Sequence, residues 1–467
     1  MSPCNGVRTS ARSYDFIQET RVMSHSIQQQ SLDAKNDLEK IIVTKTTRKL
    51  VPLMVLMYIV AYIDRQNISF AKLQMVDSLG WSEAAFGLGA SLFFIGYLVF
   101  SVPGNLILSK VGAKRWFTIS LLSWGVITMA LAWTEKMSTF YTLRFILGVA
   151  EASFYPGLIY YSTKWFPLKY RPRIVGFLVT ASMVANMIGA PINGSLLSMH
   201  GFMGLEGWQW LFLATGVLAL LLIAPVLLWF PQGPEQARFL NAEEKSWLIK
   251  KLAAEQDANT DKSVNSLGKS LTDWRVLALA LVYGFICFGA YGISYWMPTI
   301  VKTFGASDMM NGLVNMIPWA MVIIMLRWIT SKPERTENPY INVALPMFTA
   351  AICLLLSVWT FAQPVISFIC ICGVVLSVFA IQPCFWNLTK FLSGATAAAG
   401  IAIINSLANL GGFFAQNTIP LVRDLEKSDS APMLYLSAVM LIGGIVTILI
   451  VRWLKNIAIV DAKPVTL

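Results

Sequence analysis

About twelve long apolar stretches run through this 467-residue chain, and that repetition limits its fold more than any other feature. Roughly 20 apolar residues span the hydrocarbon core of a bilayer as a helix. Backbone in lipid must satisfy its own hydrogen bonds, so such stretches are expected to be helical. Composition agrees: charged residues make up 13% of the chain, against roughly 25% in a soluble domain. The expectation is an all-α membrane protein of twelve transmembrane helices in two six-helix halves.

The expected spans are about 50–70, 85–108, 116–134, 139–163, 174–199 and 209–230, then about 273–297, 311–330, 341–361, 365–385, 396–420 and 432–454. This divides the chain into a tail at 1–48, a first half at 49–230, a central polar loop at 231–272, a second half at 273–455 and a tail at 456–467. The first tail lacks the apolar core of a secretory signal and is expected to be flexible, with Met23 an alternative start.

The net charge is +11, which in a soluble protein would raise nucleic acid as a partner. Here the basic residues alternate by loop, as the positive-inside rule demands. Eight sit in the first tail, from Arg8 to Lys49; others cluster as Lys110, Lys114 and Arg115, as Lys164, Lys169, Arg171 and Arg173, and as Arg327, Lys332 and Arg335. The intervening loops hold only Lys72, Lys136, Lys302, and Arg423 with Lys427. Both termini and the central loop are therefore expected on the cytoplasmic side.

Six spans, a long loop and six more spans is the layout of a two-half transporter. A channel would repeat a short filter segment, and a membrane enzyme would carry a His or Cys cluster or a metal motif; neither is seen. The two histidines, His25 and His200, stand apart, and five of the six cysteines fall in apolar segments, as small packing residues do. No metal, no cofactor and no enzymatic activity are expected.

Ionisable groups inside the spans mark function by default, because a charge in hydrocarbon is expensive. Asp64 and Arg65 close the first span and point about 100° apart on a helix. The functional reading makes Asp64 a proton-titrating carboxylate on a cavity and Arg65 an anion contact, with Asn67 and Ser69 continuing a polar face. The alternative is a charged cluster snorkelling to water at the membrane boundary. Arg144 and Glu151 are seven residues apart in the fourth span, on nearly one face. They read as an anion site and a proton carrier lining one cavity, or else as an ion pair that locks helix packing. Pro156 and Gly157 are expected to break that helix. A carboxylate near an arginine suits proton coupling: an incoming anion that takes over the arginine frees the carboxylate to hold a proton.

The second half has no mid-membrane acid. It offers Tyr291, Tyr295, Trp296, Trp386, Asn387, Asn405 and Asn409, amides and aromatics that suit a polyhydroxylated ligand. For Trp296 and Trp386 the alternative is an interfacial aromatic belt. The small residues of Gly189-Ala190-Pro191-Ile192-Asn193-Gly194 read first as close helix packing.

Several of these motifs carry a resemblance. They are Tyr-Ile-Asp-Arg-Gln-Asn-Ile from Tyr62, Gly-Val-Ala-Glu-Ala-Ser-Phe-Tyr-Pro-Gly from Gly148, Lys-Trp-Phe-Pro from Lys164, His-Gly-Phe-Met-Gly from His200 with Gly-Trp-Gln-Trp-Leu-Phe from Gly207, and Leu-Ser-Gly-Ala-Thr-Ala-Ala-Ala-Gly-Ile-Ala from Leu392. From about residue 45 to 455 the chain resembles the anion:cation symporter branch of the major facilitator superfamily. With Ala-Ile-Gln-Pro-Cys-Phe-Trp from Ala380, it looks most like bacterial rhamnonate-type sugar-acid transporters. The resemblance implies a monomeric inner-membrane importer that moves a sugar-acid monocarboxylate with protons by alternating access. It implies proton-coupling roles for Asp64 and Glu151, carboxylate contacts for Arg65 and Arg144, and a sugar cavity lined by Tyr97, Trp386 and Asn405, to which the residue reading adds Tyr291. Departures are Ser109 where the loop signature has an acid, Ser182 where the galactonate group has a glutamine, and Lys332-Pro333 in the loop after the eighth span. Other readings are an aromatic-acid or dicarboxylate importer, an efflux carrier, and a ligand-sensing receptor without transport.

Overall fold

A computed structural model describes residues 8–257, 272–330, 338, 340–392 and 396–461. Among them there is no strand. The helices are α1 (Arg8–Ser78), α2 (Glu83–Val111), α3 (Ala113–Leu131), α4 (Met137–Glu151), α5 (Phe154–Thr163), α6 (Arg171–Leu197), α7 (Gly207–Leu221), α8 (Ile223–Trp229) and α9 (Ala242–Asp257). After the central loop come α10 (Trp274–Thr303), α11 (Asp308–Thr330), α12 (Leu345–Trp359), α13 (Pro364–Phe385), α14 (Thr396–Ala408), α15 (Leu410–Glu426) and α16 (Ala431–Asp461). Nine helical stretches among the described residues are long and apolar enough to cross a membrane.

Three stretches that read as single spans are broken, the one at 209–230 only by a turn at Leu222 between α7 and α8. α4 stops at Glu151 and α5 starts at Phe154. Pro156 explains the break: its ring meets the carbonyl four residues back, at Ala152, and it offers no N–H there. The break leaves Glu151 as the last residue of α4. The interruption at Asn409 precedes Gly411 and Gly412, whose lack of a side chain disfavours helix.

The first tail differs from the expectation of a flexible segment. α1 begins at Arg8 and runs without interruption to Ser78, because neither glycine nor proline occurs between residues 8 and 51 to stop it. Its membrane-proximal part is packed as well: Ile42 and Thr46 are buried, and Lys45 pairs with Glu244 of α9 at 2.5 Å. Glu255 of the same helix accepts from the Leu168 N–H at 2.8 Å, so α9 lies against the end of the bundle where α1 enters and α5 leaves. At the other terminus α16 continues to Asp461, past the expected end at 455.

Glycines set how closely the helices approach. A Cβ on Gly96 would sit 2.2 Å from the Phe145 carbonyl oxygen, and one on Gly148 would sit 2.1 Å from that of Phe93. This glycine pair lets α2 and α4 touch backbone to backbone, which brings Arg144 and Glu151 beside Phe93 and Tyr97. The α2–α3 turn needs its glycine for another reason: Gly112 has φ +87°, a conformation that disfavours any side chain. Gly194 meets Gly312 of α11, in agreement with the packing reading of the 189–194 stretch.

Candidate functional site

Arg65, Phe93, Phe94, Tyr97, Arg144, Tyr291, Asn409 and Gln416 enclose a cavity of about 50 Å³. α1, α2 and α4 form one wall; α10, α15 and the Asn409 break form the other. Sequence reasoning placed Arg65, Arg144, Tyr97 and Tyr291 here, and the structure brings all four together.

Arg65 Nε donates to Glu151 Oε2 at 2.7 Å. Its guanidinium also stands over the rings of Tyr97, Phe93 and Tyr62 at 5.2, 5.5 and 5.5 Å. Arginine stacks this way because its flat, weakly hydrated cation suits an aromatic face. Arg144, 3% exposed, donates from Nη2 to the Ala90 carbonyl at 3.1 Å and lies over Phe93 at 5.1 Å. Its Nε is buried without a partner, as is the second oxygen of Glu151. The ion pair therefore joins α1 to α4 across 86 residues of chain. It does not join Arg144 to Glu151, the pairing that same-face spacing had left open.

Asp64 is displaced from its expected place. It does not line the cavity and it does not snorkel to water, being fully buried behind Arg65. Its carboxylate accepts from Trp124 Nε1 at 2.8 Å, Thr128 Oγ1 at 3.1 Å and Asn67 Nδ2 at 3.0 Å. The 100° step between adjacent helical residues sends Arg65 to the cavity and Asp64 toward α3. Asp64→Leu would strand the Trp124 and Thr128 donors and leave Asn67 Nδ2 with Thr215 alone, and is expected to lower unfolding stability by about 3 kcal/mol. Thermal unfolding in detergent checks this; an unchanged midpoint would mean that the three contacts hold nothing.

The aromatic and amide residues of the later helices divide. Tyr291 Oη donates to Asn409 Oδ1 at 3.4 Å, and its ring meets Phe94 edge-on at 4.8 Å. Asn405 stands one turn back, its carbonyl accepting from Asn409 Nδ2 at 2.8 Å. Asn409, and not Asn405, reaches the cavity: the two share one helix face, and the cavity lies one turn further along it. Trp386 packs on Tyr283 and Phe385 at 5.0 and 5.3 Å and does not line the cavity. Ser182 donates to its own helix at Val179. Lys332 and Pro333 lie outside the described residues.

Sequence reasoning missed Phe93, Phe94 and Gln416. A phenylalanine in an apolar run carries no signal of facing a cavity. Gln416 does carry one, as a polar amide, next to Asn417, in a stretch expected to span the membrane.

Lys72 also differs from its reading as a loop residue. It is 2% exposed, pairs with Glu83 at 2.6 Å, donates to Thr299 at 3.1 Å and sits 3.6 Å over the Trp296 ring. Trp296 is thus buried as a cation's platform and is not part of an interfacial belt. Glu83 also pairs with Arg423, which pairs with Asp429 at 2.7 Å, and Gln74 and Lys302 both reach Asp308. Together these contacts bind the ends of α1 and α2 to α10, α11 and α15, closing the bundle at the end away from α9.

A family model of the Major Facilitator Superfamily matches residues 54–416. The chain belongs to that superfamily. It is therefore a membrane-spanning transporter and not an enzyme. Among curated relatives it is 42% identical to a "Quinolone resistance transporter" of Acinetobacter baumannii, over 90% of this chain and 97% of the relative. It is 39% identical to a "Putative tartrate transporter" of Agrobacterium vitis, over 89% and 93%. It is 36% identical to "Inner membrane transport protein RhmT" of Escherichia coli strain K12, over 87% and 94%. Among solved structures, a D-xylose–proton symporter shares the fold with a TM-score of 0.69 at 15% identity, covering 85% of this chain and 96% of that one.

Proposed function

We propose that this superfamily member imports an organic anion together with protons by alternating access, across twelve spans arranged as two six-helix halves. On this reading it works as a monomer in the inner membrane, with both termini cytoplasmic. The substrate is a small carboxylate, in the first place a sugar-acid monocarboxylate such as rhamnonate. The single observation that carries the reading is the Arg65–Glu151 ion pair at the cavity wall, beside an Arg144 whose Nε has no partner.

An anion entering the cavity competes with Glu151 for Arg65 and finds Arg144 free on one side. Once Arg65 turns to the substrate, Glu151 keeps a buried negative charge without a counter-ion, an expensive state that a proton relieves. Substrate and proton then occupy the site together and leave together. Asp64 takes the supporting role, a carboxyl group held by three donors that orients α1 against α3. Tyr97, Tyr291 and Asn409 contact the rest of the ligand, with Asn405 and Trp386 behind them.

A cavity of about 50 Å³ is smaller than the roughly 300 Å³ of an ordinary ligand pocket. The walls must part to admit a whole sugar acid, which fits a carrier that alternates between open forms. With α9 on the cytoplasmic side, the Lys72–Glu83–Arg423 cluster holds the outer end shut.

A second reading is favoured by the 42% identity to a protein named for quinolone resistance: proton-driven export of a carboxylate-bearing drug. One experiment separates the two. Proteoliposomes with an internal pH dye are challenged with rhamnonate, tartrate, 4-hydroxyphenylacetate and a quinolone. Internal acidification evoked by one of the first three supports symport and names the ligand class. Quinolone extrusion driven by an imposed proton gradient supports export, and binding without any proton movement overturns both.

A further inference from the structure

We infer that Gln416 is the specificity-determining residue of this site, and that it reads a hydroxyl group next to the substrate's carboxylate. The inference rests on the organic-anion reading above and sharpens its substrate class to 2-hydroxy carboxylates.

Gln416 sits in the second turn of α15 and is 7% exposed. It lines the same small cavity as Arg65 and Arg144, from the opposite wall. Its Oε1 is buried and has no hydrogen-bond partner. A buried amide oxygen without a donor is costly, so the group needs a partner that the protein itself does not supply. Its position is rigid. A Cβ on Gly87 of α2 would lie 2.5 Å from the Gln416 carbonyl oxygen, so α15 is pressed against α2 at this residue.

The chemistry of the cavity defines the missing partner. The guanidinium groups of Arg65 and Arg144 offer only donors, as a carboxylate requires. Gln416 Oε1 is the complementary acceptor, and it asks for an O–H. Arginines and amide line the same cavity from its two walls, so they face one ligand together when the site closes on it. A carboxylate held at the arginines therefore presents its 2-position to Gln416. A 2-hydroxyl donates there, whereas a 2-methylene leaves the amide oxygen stranded. Sites built to bond a hydroxyl discriminate strongly against analogues that lack it, for this reason.

Two matched pairs test the assignment on the purified full-length protein by isothermal titration: D-gluconate against 2-deoxy-D-gluconate, and L-tartrate against succinate. The wild type should bind the hydroxy acid of a pair about 10-fold or more tightly. Gln416→Leu should bring the two acids of the pair to within about 2-fold of each other, chiefly by weakening the hydroxy acid, and Gln416→Asn should fall between. A residue that matters only for packing would weaken both acids alike and keep their ratio. Should Gln416→Leu fail to fold, the wild-type ratio and Gln416→Asn decide. Equal binding within both pairs by the wild type, or an unchanged ratio in the variants, overturns the assignment of Gln416 while leaving carboxylate binding intact. If none of the four carboxylates binds, the organic-anion reading falls and the assignment falls with it, a result distinguishable from equal binding.

Discussion

Glu151→Gln is expected to abolish substrate-evoked proton entry while substrate exchange continues. The substitution keeps the size of the side chain and an amide oxygen that accepts from Arg65 Nε, now 2.7 Å from the carboxylate. What disappears is the titratable oxygen and the negative charge. Without that charge nothing competes with the incoming anion for Arg65, so affinity at neutral pH should hold or rise. The two effects separate coupling from binding. In proteoliposomes the variant should show counterflow of labelled substrate, no acidification of an internal dye and no accumulation against a gradient. The pH dependence of substrate affinity should flatten as well, since the competing carboxylate is gone. Accumulation in the variant at the wild-type level would remove Glu151 from the coupling role. The carrier would then have to be sought elsewhere, with Asp64 the other buried carboxylate of this region.

The second large effect is expected at Arg144. Arg144→Lys preserves the charge and discards the fork. In the native site one arm of the guanidinium is spent on the Ala90 carbonyl at 3.1 Å, while Nε remains without a partner. Lysine presents a single point charge and cannot anchor to that carbonyl and hold a carboxylate in a planar, two-donor grip at once. Breaking a buried charged contact of this kind costs about 2–5 kcal/mol, so substrate affinity should fall about 30-fold or more. The unfolding midpoint should stay close to that of the wild type, which distinguishes lost recognition from lost folding. Affinity within about 3-fold of the wild type would place the carboxylate on Arg65 alone.

Much of this protein is legible along the chain because the relevant physics is local. Apolar length predicts spans, and rare charges inside spans predict the site, since hydrocarbon tolerates none without cause. Arg65, Arg144 and Glu151 stand out on these grounds, and Pro156 predicts the break that ends α4 at Glu151. Asp64 lies beyond what local physics can decide. It has the same local signature as Arg65, yet one residue of helical rotation turns it from the cavity to a buried cluster with Trp124 and Thr128. Lys72 is a similar case: its loop-like position in the sequence says nothing of Glu83, Thr299 and Trp296, which surround it only after folding. Asn409 lines the cavity in place of Asn405 because the site lies one turn further along the face they share, a depth that only the packed helices define.

The sequence by itself determined an all-helical membrane transporter, most of its span-length apolar helices, and the charged residues around which a site forms, because hydrophobic length and the cost of a buried charge are properties of single segments. Only the tertiary structure decided that Glu151 pairs with Arg65 and not with Arg144, that Asp64 stands behind the cavity, and that Gln416 faces the arginines from the other wall. Each of these depends on how one helix is rotated and pressed against another, through contacts such as Gly96 on Phe145 and Gly87 on Gln416, between residues far apart in the chain.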